Sequence, residues 1–289
     1  MIKILAAMPL RLNHAVGALI GNIAWYLNTR ERTIAMVNIN LCFSDKTETE
    51  KKQLAHSSLK ETGKALTEAA WIWTRPPEQL EALIVDTIGG EVLQRAKHVD
   101  KGLLVATPHM GTWELCNLPL SREQSITYLY KTPRFSKLEQ QLISWRANLN
   151  ALPANVGPSG IRQLLKKLKS GGTVGLLPDQ EPDIEAGVFA PFFKVPANTM
   201  TLLPKLAERG KANIVFCFAE RLPKGRGWHM HYLEPDKKIY SDDQLLAATA
   251  LNRTVERCVQ HCPEQYVWNY KRFQLLPDGS NRDYMVNKR

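Results

Sequence analysis

The chain has 289 residues, 44% hydrophobic and 23% charged, which is enough apolar material for one sizeable α/β core and too much for a disordered chain. Its formal charge of +10 calls for an anionic partner, whether nucleic acid, an anionic bilayer leaflet or a phosphorylated substrate, without choosing among them. Five cysteines (Cys42, Cys116, Cys217, Cys258 and Cys262) form no disulfide framework, which fits a reducing compartment.

Residues Ile4 to Leu27 are mostly apolar but interrupted by Arg11, Asn13, His14 and Asn22. The longest stretch, Ala15 to Leu27, is too short for the roughly 20 apolar residues that cross a bilayer. No small-residue cleavage site follows it, which argues against a removed secretory signal. Leu12, Val16, Leu19, Ile20, Ile23 and Leu27 make one helical stripe, and Trp25 and Tyr26 then meet Arg30 and Arg32, the aromatic-then-basic edge of a helix at a lipid headgroup layer. Residues 1–30 are therefore read as a membrane-associating helical arm, the alternative being a helix packed on the rest of the fold. With no repeats, low-complexity tracts or Gly/Ser linkers, 31–289 is read as a single domain.

Helices are expected over Thr33–Leu41, Thr49 to about Trp73 (ended by Arg75-Pro76-Pro77), and Pro77 to about Leu83. Gly102–Thr107 reads as a buried strand and Ile126–Tyr130 as a second, followed by a helix over Lys137–Leu149. Between Ser159 and Ser170 the residues Ile161, Leu164, Leu165 and Leu168 share one helical face, and Gly171-Gly172 ends it. Thr173–Leu177, Asn213–Glu220 and Trp228–Leu233 read as strands, and Asp242–His261 as a last long helix before Tyr266–Phe273, where Tyr266, Trp268 and Tyr270 alternate as on a strand face. Strands alternating with helices imply a mainly parallel or mixed central sheet flanked by helices, with ligands outside the carboxyl ends of the strands.

Two chemically equipped segments fall at such ends. In Thr107-Pro108-His109-Met110-Gly111-Thr112-Trp113-Glu114, a turn at Pro108 and Gly111 can bring His109 to Glu114, and a His held by a carboxylate is the usual means of removing a proton from a hydroxyl. Pro178-Asp179-Gln180 follows another strand. Cys258, His261 and Cys262 lie close together without a second ligand pair, and His229 and His231 alternate without further ligands, so no metal is expected. Neither a nucleophile elbow nor a glycine-rich phosphate loop occurs, which excludes serine hydrolases and common nucleotide-binding folds. The aromatics are not interleaved with Lys and Arg as on a single-strand platform, so nucleic acid is not an expected partner.

The His-x-x-x-x-Glu segment resembles the H-x-x-x-x-D/E box of glycerolipid acyltransferases, in the glutamate form of the bacterial lipid A biosynthesis late acyltransferases. The resemblance continues in order through Tyr130-Lys131-Thr132-Pro133, Gly157-Pro158-Ser159-Gly160-Ile161-Arg162, Leu177-Pro178-Asp179-Gln180, Gly187-Val188-Phe189-Ala190-Pro191-Phe192-Phe193 and Pro263-Glu264-Gln265-Tyr266-Val267-Trp268, spanning roughly Met8 to Phe273. The chain departs from the family at Lys194, where many relatives have Gly or a small residue, and at Lys131, which replaces a common Arg and lacks its bidentate fork. The resemblance implies a glycerolipid acyltransferase-like fold that moves a fatty acyl group from an acyl carrier protein or coenzyme A thioester to a hydroxyl of an anionic lipid, first a lipid A precursor, otherwise another lyso-lipid or glycolipid. It implies no cofactor and work at the cytoplasmic face of the inner membrane. His109 would be the general base, oriented by Glu114. Lys131 and Arg162 are candidates for substrate contact, Arg162 toward phosphate or a developing oxyanion or else as a solvated helix arginine. Asp179 would orient Arg162 or the acceptor, or simply form a turn, and Phe189, Phe192 and Phe193 would line an acyl groove or belong to the core. The different-class alternative is a non-catalytic basic protein that binds membrane or nucleic acid.

Overall fold

A strand covered on both faces must be apolar throughout, and Leu103–Ala106, all four residues buried, is the strand around which the fold is built. The computed structural model describes residues 2–97, 101–130, 143–144, 146–147 and 150–285. In chain order the helices are α1 (Ile2–Ala7), α2 (Leu10–Tyr26), α3 (Arg30–Cys42), α4 (Glu48–Ile72), α5 (Pro77–Glu81), α6 (Gly90–Ala96), α7 (Leu118–Ser121), α8 (Pro158–Lys169), α9 (Leu202–Gly210) and α10 (Gln244–His261). The strands are β1 (Ile84–Ile88), β2 (Leu103–Ala106), β3 (Ile126–Tyr130), β4 (Ala151–Asn155), β5 (Thr173–Leu176), β6 (Gly187–Phe192), β7 (Val195–Met200), β8 (Asn213–Arg221) and β9 (Trp228–Leu233).

Seven strands form one sheet in the order β1-β9-β8-β2-β5-β3-β4. Its neighbours run parallel except β8 and β9, so the expected mainly parallel α/β sheet is the architecture. Leu104, Ala106, Ile214 and Phe216 face a layer that includes Leu164, Leu168, Leu206, Leu251 and Val255 of α8, α9 and α10. Leu103, Val105, Val215 and Cys217 face the other way, onto Trp71, Ile72, Leu80 and Leu93 of α4, α5 and α6.

Sequence patterning missed the β6–β7 hairpin and two strands of this sheet, β1 and β4, which are its edges. β1 is largely exposed, so it lacks an apolar run. β4 carries Pro153 opposite Tyr128, a residue with no N–H to donate and therefore confined to edges. The expected strand at Tyr266–Tyr270 does not form: Tyr266 makes one isolated bridge to Met110, and the chain then turns. Most of the helix expected over Lys137–Leu149 lies outside the described residues.

Lys194, singled out in the sequence, lies in the turn of the β6–β7 hairpin. Phe193 and Lys194 are its two turn residues, with φ of 46° and 66°. Two-residue hairpin turns of this hand favour Gly and Asn, because a Cβ at positive φ crowds the carbonyl oxygen. Lys194 therefore occupies a position where backbone geometry favours a residue without a Cβ. Lys194→Gly is expected to raise unfolding stability by about 0.5–1 kcal/mol, readable as a higher urea midpoint at unchanged slope.

The amino-terminal helices are docked rather than free. α2 lies against α4 so closely that a Cβ on Gly17 would fall 2.5 Å from the Lys64 Cα, and one on Gly63 would fall 2.1 Å from the Gly17 carbonyl oxygen. Apart from Leu10 at its start, the buried face of α2 is polar or small: Asn13, His14, Gly17 and Gly21. Asn13 donates to the carbonyls of Leu5 and Thr67. The apolar stripe read from the sequence points away from the protein, with Leu12 51%, Leu19 57%, Ile23 49% and Leu27 72% exposed. No helix among the described residues is long and apolar enough to cross a membrane.

Candidate functional site

β2 and β5 are parallel neighbours with Ala106 opposite Leu176. Three residues beyond each strand end come His109 and Asp179, so equal offsets along adjacent strands bring them together. His109 Nδ1 lies 2.7 Å from Asp179 Oδ1, and the His109 backbone N–H donates to Oδ2 at 2.9 Å. Burial pushes the Asp179 carboxyl up, but the His109 charge and these hydrogen bonds outweigh it and hold the carboxyl below its ordinary range. A carboxylate on Nδ1 fixes the ring proton there and leaves Nε2 free to accept. Nε2 sits 3.2 Å from the side-chain amide of the exposed Gln180.

The carboxylate expected on His109 was Glu114, and here the structure corrects the sequence reading. Glu114 accepts from Arg146 through both Nε, at 3.1 Å, and Nη2, and from Trp73 Nε1 at 3.0 Å. The turn at Gly111 does bend the chain, but it leads into a short 3-10 helix at Trp113–Leu115 that turns Glu114 toward Arg146. His109, Glu114 and Arg146 nevertheless line one cavity of about 330 Å³, with Trp113, Tyr128 and Leu177 also in its wall. That volume lies in the range of small-molecule sites. The Arg146 guanidinium stands over the Tyr128 ring, 5.1 Å from its centre.

The loop that carries His109 is clamped from behind. Gly111 has φ of 54°, and a Cβ there would fall 2.0 Å from the Ala219 carbonyl oxygen, so only glycine fits. The Gly111 and Thr112 N–H groups donate to Gln265 and Ala219, and the Val267 N–H donates to the His109 carbonyl. Deeper still, fully buried Glu68 on α4 accepts from Arg221 Nη2 at 2.6 Å, from Thr112 Oγ1 at 2.7 Å and from Trp228 Nε1 at 3.2 Å, and pairs with His14 Nε2 at 2.6 Å. Arg221 Nη2 also donates to the Gly111 carbonyl. Burial raises the Glu68 carboxyl, but Arg221 and His14 prevail and bring it down to about 2.

The other sequence candidates fall elsewhere. Arg162 is exposed on α8 beside Leu165, Lys166 and Lys169, outside the His109 cavity. Asp179 is engaged by His109 rather than by Arg162. Phe192 is buried against Tyr266 and Phe273, and Phe193 packs on Phe43 and Trp268. Phe189 is half-buried on β6 and does not line the cavity either. Their contacts make Phe192 and Phe193 part of the core rather than walls of the groove expected beside His109. Lys131 lies outside the described residues. Patterning gave no signal for Arg146. Glu68, by contrast, is a lone carboxylate in the run Ala65-Leu66-Thr67-Glu68-Ala69-Ala70-Trp71-Ile72, and a charge in such a helical run implies a buried partner.

Residues 1–275 match the family described as bacterial lipid A biosynthesis acyltransferase. The chain is 28% identical to the lipid A biosynthesis lauroyltransferase of Escherichia coli (strain K12), over 94% of this chain and 88% of that protein. It is 26% identical to the lipid A biosynthesis palmitoleoyltransferase of the same strain, over 93% and 87%. It is 22% identical to the strain's lipid A biosynthesis myristoyltransferase, over 97% and 86%.

Proposed function

The chain belongs to the bacterial lipid A biosynthesis acyltransferase family and is an acyltransferase, and from that premise we propose that it transfers a fatty acyl chain from an acyl carrier protein or coenzyme A thioester to a hydroxyl of a lipid A precursor. The reading is supported above all by the His109–Asp179 pair at the mouth of a cavity that also holds Glu114 and Arg146. The acceptor hydroxyl displaces the Gln180 amide from His109 Nε2 and gives up its proton to that nitrogen as its oxygen attacks the thioester carbonyl carbon. Asp179 stabilises the imidazolium that results. When the C–S bond breaks, the thiolate leaves and takes the proton back, giving an ester and a free thiol. Arg146, held in place by Glu114, faces the negative charge that builds on the carbonyl oxygen or the acceptor phosphate.

The purified protein in detergent should acylate a hydroxylated, phosphorylated glycolipid from a thioester donor, detected as the added acyl mass. His109→Ala should remove at least about 10²–10⁴ of the rate. Unchanged transfer by that variant would end the assignment.

Interfacial attachment follows from the outward stripe of α2. Leu12, Leu19, Ile20, Ile23 and Leu27, flanked by exposed Tyr26, offer an apolar face to acyl chains while Arg30 and the net positive charge meet anionic headgroups at the cytoplasmic face of the inner membrane. Leu19→Glu with Ile23→Glu should move the protein from pelleted anionic vesicles to the supernatant without changing its circular dichroism, since neither side chain is buried. Equal sedimentation of variant and parent would discard this docking surface.

A further inference from the structure

Away from the His109 cavity, the β8–β9 hairpin gathers three side chains that no part of the acyl-transfer reading uses. His229 and His231 alternate along β9 and therefore share a face, and the antiparallel register sets Glu220 of β8 directly opposite His229. Glu220 Oε2 lies 2.8 Å from His231 Nε2 and 3.7 Å from His229 Nδ1. The potential ligand atoms of all three residues lie within 4.8 Å of one another. At metal–ligand bonds of about 2.0–2.1 Å, tetrahedral zinc separates its ligand atoms by roughly 3.3 Å, so small side-chain rotations close the site.

We propose that Glu220, His229 and His231 bind a divalent transition-metal ion of the zinc class, with water completing the coordination. The donor set, two imidazoles and one carboxylate, is of the kind zinc takes when a position stays open. Two hydrogen-bonded strands supply all three ligands, so little order is lost on binding. The His231 ring is fixed by stacking on Phe218, with centroids 4.4 Å apart and planes within 5°. His229 and Glu220 are each about 30% exposed at the side chain, which leaves the ion a path from solvent. The His231 ring also lies 5.4 Å from that of His261, in the last turn of α10. The sequence showed His229 and His231 alone; the third ligand is nine residues away from the first and comes from the neighbouring strand.

The ion would pin β9 to the end of β8, one residue before Arg221. The inference does not depend on the acyl-transfer reading. Its test is calorimetric titration of the untagged, full-length, chelator-treated protein in detergent with zinc chloride. One saturable site in the micromolar range is expected, weakened at least about ten-fold by Glu220→Gln and by His229→Ala, each a change at a partly exposed position, and unaffected by His109→Ala. Zinc should also raise the melting temperature of the parent protein but not of Glu220→Gln. The proposal falls if no saturable site appears, if the site survives both hairpin variants, if His109→Ala abolishes it, or if zinc stabilises parent and Glu220→Gln alike.

Discussion

Asp179→Asn is expected to lower kcat by about 10⁴-fold with little change in KM, because the substitution keeps the shape of the side chain and removes the charge that steers His109. An asparagine can turn its amide nitrogen toward Nδ1, which moves the ring proton to Nε2, the atom that in the proposed mechanism accepts from the acceptor hydroxyl. The buried position of Asp179 excludes water as a substitute partner. Steady-state rates at saturating donor and acceptor make the measurement. Glu114→Gln is the informative comparison: its carboxylate binds Arg146 and Trp73, so its loss loosens Arg146 and leaves the His109 tautomer untouched. A loss at Glu114 coupled with full activity in Asp179→Asn would reverse the assignment and restore the dyad suggested by the box spacing.

The second large effect is on stability. Glu68→Ala leaves the Arg221 guanidinium, 2% exposed at its side chain, with Glu61 alone as carboxylate partner at 2.9 Å, and the loss of the buried half of that pairing is expected to cost up to about 3 kcal/mol. The same carboxyl sets an acid limit. Held at about 2 against an ordinary 4.5, it contributes stability that is complete above pH 4.5 and is lost as pH falls toward 2, while the parent binds fewer protons than its unfolded chain. Urea midpoints measured across that window should converge for the parent and Glu68→Ala at the acid end. Replacing both partners, as in Glu68→Leu with Arg221→Met, should recover part of the stability, since it removes two desolvated charges together, though Glu61 and His14 each lose a partner. It should not recover activity, because the Thr112 hydroxyl and the Gly111 carbonyl would have lost the groups that hold the His109 loop. Recovery of both would assign this network to folding alone.

The parallel core was legible because fully buried strands are nearly pure apolar runs, as in Leu103-Leu104-Val105-Ala106. Each half of the His109–Asp179 pair was legible too, as a polar residue just past a strand. What local patterning lacks is the order of strands. Spacing along one segment favoured Glu114, five residues on, over Asp179, 70 residues on, although adjacent parallel strands make equal offsets from their ends into neighbours in space. Arg146 had no such handle, since a cation within an expected helix looks like any solvated face. The outward stripe of α2 was legible in the sequence, as the apolar face of a helix at a lipid layer. What it did not show is that the opposite side docks on α4, because close helix approach through Gly17, Gly21 and Gly63 leaves no apolar stripe to read.

That orientation has a consequence for how the molecule behaves outside its native setting. Because the α2–α4 contact is made largely by glycine backbone and by amide and imidazole groups, departure from the proposed lipid surface would uncover no interior; the helix would keep its seat and only its outer, oily side would change company. In plain buffer two copies would bury those sides on each other, so the apparent mass of the folded protein should depend on amphiphile concentration while its spectroscopic helicity does not.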